Sequence, residues 1–184
     1  MSEARGTSAA PLAFSADAKA RIATLLARYP VDRKQAALIP ALYVAQDEFG
    51  WLKPDVMELV ARELEVPLTA VLSTAMFYTM LKKQPLGRWH VQVCTNVSCY
   101  LRGCDGLMDV ARAELGIGPG ETTSDGLFTL SAVECLAACG MAPALQIDKK
   151  DHFDVTPDQM RQLLRDLKAH AGAGPAAAAG GVHG

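Results

Sequence analysis

No run of apolar residues in this 184-residue chain is long enough to cross a membrane. The longest run covers residues 36–45, whereas a transmembrane helix needs roughly 20 apolar residues. The first residues also lack the apolar segment of a secretory signal, so we expect a cytoplasmic protein without direct membrane insertion. Neither sign of charge dominates, because 18 Lys and Arg residues stand against 20 Asp and Glu residues. A nucleic-acid partner, which selects a net basic surface, is therefore not expected.

Cysteine is absent from the first half of the chain, and all five cysteines lie between positions 94 and 139. In a reducing compartment such a group indicates metal binding or redox chemistry rather than a disulfide framework. A C-x-x-C pair, the motif of thioredoxin-type disulfide exchange, is also absent. The cysteine-bearing region is therefore where chemistry is expected.

The first half is patterned as helices, and we predict a helical domain over residues 15–83 after a flexible N-terminus over residues 1–14. Ser15 and Asp32 are candidate caps for the first two helices. Pro40 predicts a kink in the second helix, or a start one turn later. Pro54 suits the first position of a third helix, and a shorter run follows Pro67. The apolar faces of these helices are typical of packing surfaces rather than cofactor sites.

The second half changes to a mixed pattern, and we predict a thioredoxin-like domain over residues 84–170. The predicted elements are a strand over 89–94, a helix over 105–115, a strand over 127–130, a hairpin of 144–147 with 152–155, and a helix from Pro157. This order fits a small open sheet covered by helices. The fold class is thus α/β, with a helical bundle preceding the sheet domain. Residues 171–184 are predicted to be a disordered Ala/Gly tail.

The cysteines form two short-spaced pairs, each after a predicted strand. Cys94 and Cys99 form a C-x4-C pair, and Cys135 and Cys139 form a C-x3-C pair. Loops at one sheet edge can bring four thiolates together, and such an all-sulfur shell suits a [2Fe–2S] cluster. Zinc also accepts four thiolates, with these spacings at the long end of its range. Unrelated buried cysteines are the third interpretation.

Residues near the cysteines allow both a cluster-related and a local structural interpretation. Small or polar neighbours with backbone or side-chain donors for sulfur are Thr95, Asn96, Ser98, Gly103, Gly106 and Gly140. Gly103 and Gly106 equally suit the entry to a helix. His90 and His152 lie near strand ends, and we predict no ligand role for them, because four thiolates complete the shell.

The chain resembles a known family through motifs in both halves. They are Leu86-Gly-Arg-Trp-His-Val-Gln-Val-Cys-Thr-Asn96, Leu101-Arg-Gly-Cys-Asp105, Gly126-Leu-Phe-Thr-Leu130, Glu134-Cys-Leu-Ala-Ala-Cys-Gly-Met-Ala-Pro143, Asp154-Val-Thr-Pro157, Gln46-Asp-Glu-Phe-Gly-Trp-Leu52 and Ala75-Met-Phe-Tyr78. Over about residues 15 to 168 it looks like the thioredoxin-like [2Fe–2S] subunit, the E subunit, of bacterial NADH:quinone oxidoreductase, respiratory complex I.

This resemblance implies a [2Fe–2S] cluster held by Cys94, Cys99, Cys135 and Cys139. It implies docking on a partner subunit that binds FMN and NADH, alongside further iron–sulfur subunits, at the cytoplasmic side of the inner membrane. The cluster would exchange single electrons with the flavin, off the main path to quinone. This chain would hold no flavin, nicotinamide or substrate of its own.

Two residues depart from the family pattern. Ala137 stands where glycine is common, which we interpret as a modest packing change. Cys104 forms a second C-x4-C pair with Cys99. We predict that Cys104 is no ligand, because it lies at the start of a predicted helix whereas Cys94 ends a strand.

Other parent enzymes and functions remain open from sequence alone. The homologous subunit of a soluble NAD-linked hydrogenase or formate dehydrogenase would use the same fold and ligands. A free-standing ferredoxin or a zinc-stabilised interaction module is a further alternative, although a shuttle ferredoxin has little need of the helical half. Trp51, Phe77 and Tyr78 in that half would suit either a docking surface or a core.

Overall fold

The computed structural model describes residues 12–171. Most of the predicted flexible N-terminus (1–14) and nearly all of the predicted Ala/Gly tail (171–184) therefore lie outside the described residues. Phe14, at the end of the predicted flexible segment, is buried and its ring centroid lies 5.7 Å from that of Phe49. The chain divides into two compact units, Met1–Pro85 and Leu86–Gly184.

The first unit is helical in its described part. Its elements are α1 (Ala16–Leu26), a 3-10 segment (Val31–Ala37), α2 (Leu38–Phe49), α3 (Pro54–Leu64) and α4 (Leu68–Phe77). Ser15 caps α1 as predicted, because its hydroxyl accepts a hydrogen bond from the Ala18 N–H at 3.2 Å. The apolar faces pack on one another around fully buried Leu42 and Leu64, which confirms that they are packing surfaces.

The second helix begins later than a cap at Asp32 would allow. Asp32 lies inside the 3-10 segment, and the N-cap of α2 is Ala37, so the Asp32 prediction was wrong. Pro40 falls in the first turn of α2, where its missing N–H removes no helical hydrogen bond. The later start that Pro40 predicted is therefore the one observed.

The second unit is a four-stranded sheet with helices, as the α/β prediction requires. Its elements are β1 (Trp89–Cys94), α5 (Val97–Leu101), α6 (Cys104–Leu115), β2 (Phe128–Val133), β3 (Leu145–Ile147), β4 (Lys150–His152) and α7 (Pro157–His170). The strand order is β2-β1-β3-β4, with β1 and β2 parallel and the other pairs antiparallel. Fully buried Leu107 of α6 and Met160 of α7 pack in the same core as Leu130 of β2.

The hairpin is tighter than predicted. Its turn is formed by Asp148 and Lys149, and β4 ends at His152 rather than running to Val155. Asp148 has a φ of 54°, a backbone conformation suited to a two-residue turn. Its Oδ1 accepts from the His90 N–H at 2.9 Å, and its own N–H donates to the His90 carbonyl at 2.9 Å. The turn is thereby tied to β1.

None of the helices in the described range, 12–171, combines the length and the apolar character needed to span a bilayer. The longest of them, α7, is amphipathic and carries its own capping box at Thr156 and Gln159.

The ring of His152 should titrate below its ordinary pKa of 6.5, because partial burial at the end of β4 and the charge of Lys150 both disfavour the protonated form. Asp151 opposes this lowering of the pKa. The folded chain therefore binds this proton less readily than the unfolded chain. The neutral His152 ring therefore contributes to the stability of the folded chain above about pH 6.5. This contribution is lost as the pH falls towards the lowered pKa.

An NMR titration of the His152 ring, assigned with His152→Gln, measures this pKa directly. Asp151→Asn should lower the pKa further and Lys150→Gln should raise it. A midpoint at or above 6.5 in the unsubstituted protein would contradict the proposed environment.

Candidate iron–sulfur site

Parallel pairing of β1 and β2 brings both cysteine-bearing segments to one edge of the sheet. Cys94 is the last residue of β1 and is in register with Val133, the last residue of β2. The Thr95 N–H extends this ladder by donating to the Val133 carbonyl at 3.0 Å. Cys135 follows two residues later, so both cysteine pairs begin at the carboxyl ends of neighbouring strands.

The first pair is buried. Cys94 is 3% and Cys99 is 2% exposed. Cys99 lies on the short helix α5, not in the predicted loop, and Asn96 caps that helix by accepting from the Val97 N–H at 2.8 Å. Periodicity missed α5 because five residues are too few to show a helical repeat.

Ala144 makes backbone hydrogen bonds with both buried cysteines. Its carbonyl accepts from the backbone N–H of Cys94 at 3.1 Å, and its N–H donates to the sulfur of Cys99. Burial raises the pKa of the Cys99 thiol, as does the neighbouring Cys94 thiol, while the Ala144 N–H opposes the rise. A backbone donor at a sulfur is the kind of contact that stabilises a ligating thiolate.

The second pair is exposed. Cys139 begins a short 3-10 turn, Cys139–Met141, and Cys135 lies in the loop before it. Between them Ala137 has a φ of 57°, and its N–H donates to the Cys135 sulfur at 3.2 Å. Glycine adopts this conformation freely whereas alanine does not. The departure at Ala137 is therefore a matter of backbone conformation rather than of packing.

The donors at this edge are thiols. Helix α5, which carries Cys99, packs against the 3-10 turn that begins at Cys139. Within residues 12–171, no three His, Cys, Asp or Glu side chains are grouped closely enough to hold a metal ion, so the two pairs lie in neighbouring segments without being gathered into one group. A [2Fe–2S] cluster takes four cysteine ligands divided between two irons. The all-thiol donor set, in two pairs at one edge, fits the binuclear group in its chemistry.

Cys104 belongs to the same apolar cluster as Cys94 and Cys99. It is the first residue of α6, it is fully buried, and it packs in the same apolar cluster as Leu107. Burial is the largest cause that raises the pKa of its thiol, and the charges of Asp105 and Cys94 raise it further. The preceding Gly103 has a φ of 86° and allows the sharp turn between α5 and α6.

Several neighbouring residues have local structural roles. Thr95 donates its hydroxyl to the Val133 carbonyl at 3.2 Å, which extends the sheet instead of contacting a sulfur. A Cβ on Gly106 would lie 3.7 Å from the Pro157 side chain, an ordinary contact distance, so the packing of α6 against the start of α7 does not require glycine there. His90 makes a cross-strand contact, with Nε2 at 2.8 Å from the Ser131 hydroxyl of β2. His152 lies at the end of β4.

Comparison with known proteins identifies the family. A model of the family described as thioredoxin-like [2Fe–2S] ferredoxin matches residues 22–168. The chain belongs to this family. The predicted thioredoxin-like fold and the [2Fe–2S] cofactor are both confirmed at this level. The zinc and packing interpretations of the cysteines are set aside with them.

The relatives are subunits of multi-subunit oxidoreductases. The E 2 subunit of the NADH-quinone oxidoreductase of Rhizobium meliloti (strain 1021) is 46% identical over 143 residues, covering 78% of this chain and 84% of the relative. Subunit 2 of the NADH-quinone oxidoreductase of Thermus thermophilus is 40% identical over 144 residues, covering 78% of this chain and 80% of the relative. The resemblance to the E subunits of this enzyme is thereby confirmed.

Solved structures show the same fold in another enzyme. A NAD+-reducing [NiFe]-hydrogenase in the H2-reduced state matches with a TM-score of 0.65 at 20% sequence identity. The match covers 78% of this chain and 23% of the hydrogenase chain, so the present chain spans about a quarter of that chain's length. At this identity the likeness supports the fold alone.

Two contributions to the site were not anticipated from sequence. The backbone of Ala144 and the side chain of Arg102, whose Nε donates to the Ala142 carbonyl at 3.2 Å, both reach the cysteine-bearing segments. Arg102 and Ala142 lie within the family motifs, and this was the one indication in the sequence that they belong to the site.

Replacing Ala137 with glycine should stabilise the protein. A residue with a Cβ in the left-handed region costs roughly 1–2 kcal/mol, and the greater chain entropy of glycine offsets roughly half of that. We expect Ala137→Gly to raise the apparent Tm of the cluster-loaded protein by about 2–4 °C for each kcal/mol gained. Thermal unfolding followed by circular dichroism measures the change.

Ala138→Gly is the matched control, because Ala138 is buried and has a φ of −111°. It should lower the apparent Tm. Equal destabilisation by both substitutions would contradict a conformational cost at Ala137.

Proposed function

We propose that this chain is the [2Fe–2S] electron-carrier subunit, the E subunit, of an NADH:quinone oxidoreductase, with Cys94, Cys99, Cys135 and Cys139 as its cluster ligands. The observation that carries the proposal is that two cysteine pairs begin at the carboxyl ends of paired parallel strands. Identity of 46% over most of the chain to an E 2 subunit supports the choice of parent enzyme.

The residues of this chain hold and tune the cofactor and perform no acid–base or nucleophilic step. When bound, a [2Fe–2S] cluster supplies one-electron chemistry. Cys94 and Cys99 would provide thiolates from the buried side, and Cys135 and Cys139 from the exposed side. The N–H groups of Ala144 and Ala137 donate to sulfur, which disperses negative charge there. We propose that the chain has no substrate site of its own.

The surface around the site supports a protein partner. Three exposed side chains of α5, Val97, Tyr100 and Leu101, flank buried Cys99, and Leu101 is 78% exposed. Met141, two residues after Cys139, is also exposed. Apolar side chains grouped on a surface indicate an interface, and an electron donor must approach the cluster closely. We propose that the flavin- and NADH-binding subunit covers this surface.

The remaining partner and location proposals follow from the same parent enzyme. Further iron–sulfur subunits would complete the complex, and the chain would lie on the cytoplasmic side of the inner membrane, attached through its partners. Flavin and NADH would bind the partner subunit.

A NAD-linked hydrogenase or formate dehydrogenase remains the second candidate parent. The fold match to the hydrogenase supports it, but the sequence identity of 20% is far below the 46% to the E 2 subunit of the respiratory enzyme. The respiratory parent is therefore preferred.

Single substitutions of the four proposed ligands should separate them from Cys104. Cys94→Ser, Cys99→Ser, Cys135→Ser and Cys139→Ser each replace a soft thiolate with a hard hydroxyl, so iron and sulfide content should fall sharply. Cys104→Ser, at a fully buried position next to the same loop, is the matched control. It should keep the iron content and the EPR signal of the reduced cluster. Loss of both in Cys104→Ser would overturn the ligand assignment.

The parent enzyme is tested by identifying what co-purifies with the untagged protein from its native cells. A flavin- and NADH-binding chain together with membrane subunits is the expected result. Recovery with a hydrogenase or formate dehydrogenase chain instead would replace the first candidate by the second. Recovery of the cluster-loaded chain alone would favour a free ferredoxin.

A further inference from the structure

The backbone from Met141 to Ala144 joins the parts of the site. Each of its carbonyls accepts a hydrogen bond: Met141 from the Asp154 N–H at 2.9 Å, Ala142 from Arg102 Nε at 3.2 Å, Pro143 from the Val155 N–H at 3.2 Å and Ala144 from the Cys94 N–H at 3.1 Å. This segment begins two residues after Cys139. Its position therefore sets where the exposed cysteine pair lies relative to the buried one.

Only one of these four donors is a side chain. Arg102 is the C-cap of α5 and lies three residues after Cys99. While its Nε donates to Ala142, its Nη2 lies 3.6 Å from Oδ1 of Asp154. Asp154 in turn donates its backbone N–H to Met141. The guanidinium thus links α5, the helix that carries Cys99, to the segment that follows Cys139.

We infer that Arg102 is a positioning residue that, with Asp154 as its partner, fixes the distance between the two ligand pairs and adjusts the reduction potential of the bound cluster. The inference rests on the proposed function for the identity of the ligands. The proposed connection between the two segments does not depend on the ligand assignment, because the hydrogen bonds at Ala142 and Met141 join protein groups only.

The charges of the pair predict opposite effects on the reduction potential. Reduction adds one negative charge at the site. The positive charge of Arg102 favours that charge and the negative charge of Asp154 disfavours it. Removing the cation should lower the potential, and removing the anion should raise it. A purely structural role would not give shifts of opposite sign.

A lysine at position 102 would separate the effect of the charge of Arg102 from the effect of its geometry. The planar guanidinium presents Nε to the Ala142 carbonyl and Nη2 to Asp154 at the same time. A lysine ammonium keeps the charge but lacks this fork. Arg102→Lys should therefore keep the reduction potential near that of the unsubstituted protein while weakening the connection between the two segments.

The experiment compares Arg102→Gln, Arg102→Lys and Asp154→Asn in the full, cluster-loaded chain. Three quantities are measured: the rate of iron release to a chelator, the midpoint potential by EPR-monitored titration, and amide hydrogen exchange at Asp154 and Val155. Arg165→Gln is the matched control, because Arg165 is a similarly exposed arginine whose Nη2 lies 2.9 Å from Glu114, on the helices rather than at the cysteine loops.

We expect faster iron release and faster amide exchange in Arg102→Gln and Arg102→Lys than in the control. The midpoint potential should fall in Arg102→Gln, rise in Asp154→Asn and stay near the original value in Arg102→Lys. Shifts of the same sign in Arg102→Gln and Asp154→Asn, or iron release and exchange unchanged from Arg165→Gln, would overturn the inference.

The outcomes also separate this inference from the proposed function. If the unsubstituted chain binds no [2Fe–2S] cluster, the proposed function fails, and amide exchange still tests the connection made by Arg102. If Arg102→Gln cannot retain iron, the potentials of Arg102→Lys and Asp154→Asn decide the electrostatic part.

Discussion

The parallel pairing of β1 with β2 is the constraint on which the rest of the site depends. Parallel strands run in one direction, so their carboxyl ends lie at the same edge, and Cys94 is in register with Val133 there. The chain must cross back over the sheet between them. That crossover contains α5 and α6, and it is the reason that Cys99 and Cys104 lie under the edge where β1 ends.

The antiparallel strand β3 completes the enclosure from the other side of β1. Since β3 runs opposite to β1, its amino end meets the carboxyl end of β1. The connection from β2 to β3 therefore crosses the end of β1, and it carries both Cys135 and Cys139. Both cysteine-bearing segments lie at the same edge of the sheet because β1 is flanked by a parallel and an antiparallel neighbour.

Much of this arrangement was predictable because it depends on short-range patterns. Strand β1, the start of α6 and the pairing of cysteines by spacing are each visible within about a dozen residues. The turn of the hairpin was predicted too long because long-range contacts decide its conformation. The tight turn at Asp148 is fixed by hydrogen bonds to His90, far away in sequence.

The unpredicted features of the site have the same origin. The bond from Arg102 to Ala142 joins positions 40 residues apart, and no local pattern encodes such a pair. The left-handed conformation of Ala137 is hidden because alanine does not signal it, whereas a glycine would have done so. The family motifs contained Arg102 and Ala142. A motif states which residues recur together, however, and does not show the contact between them.

The two pairs of proposed ligands differ in their exposure to solvent. Cys94 and Cys99 are set in the apolar core, whereas Cys135 and Cys139 are exposed and have exposed apolar side chains of α5 beside them. Burial on one side limits solvent access to the cofactor, and solvent access is one of the controls on its potential. Exposure on the other side would leave a route for electrons, and the proposed partner subunit would exclude water by covering it. With these four cysteines as the proposed ligands, the environment of half of them would depend on the partner, and the reduction potential would be a property of the complex as much as of the chain.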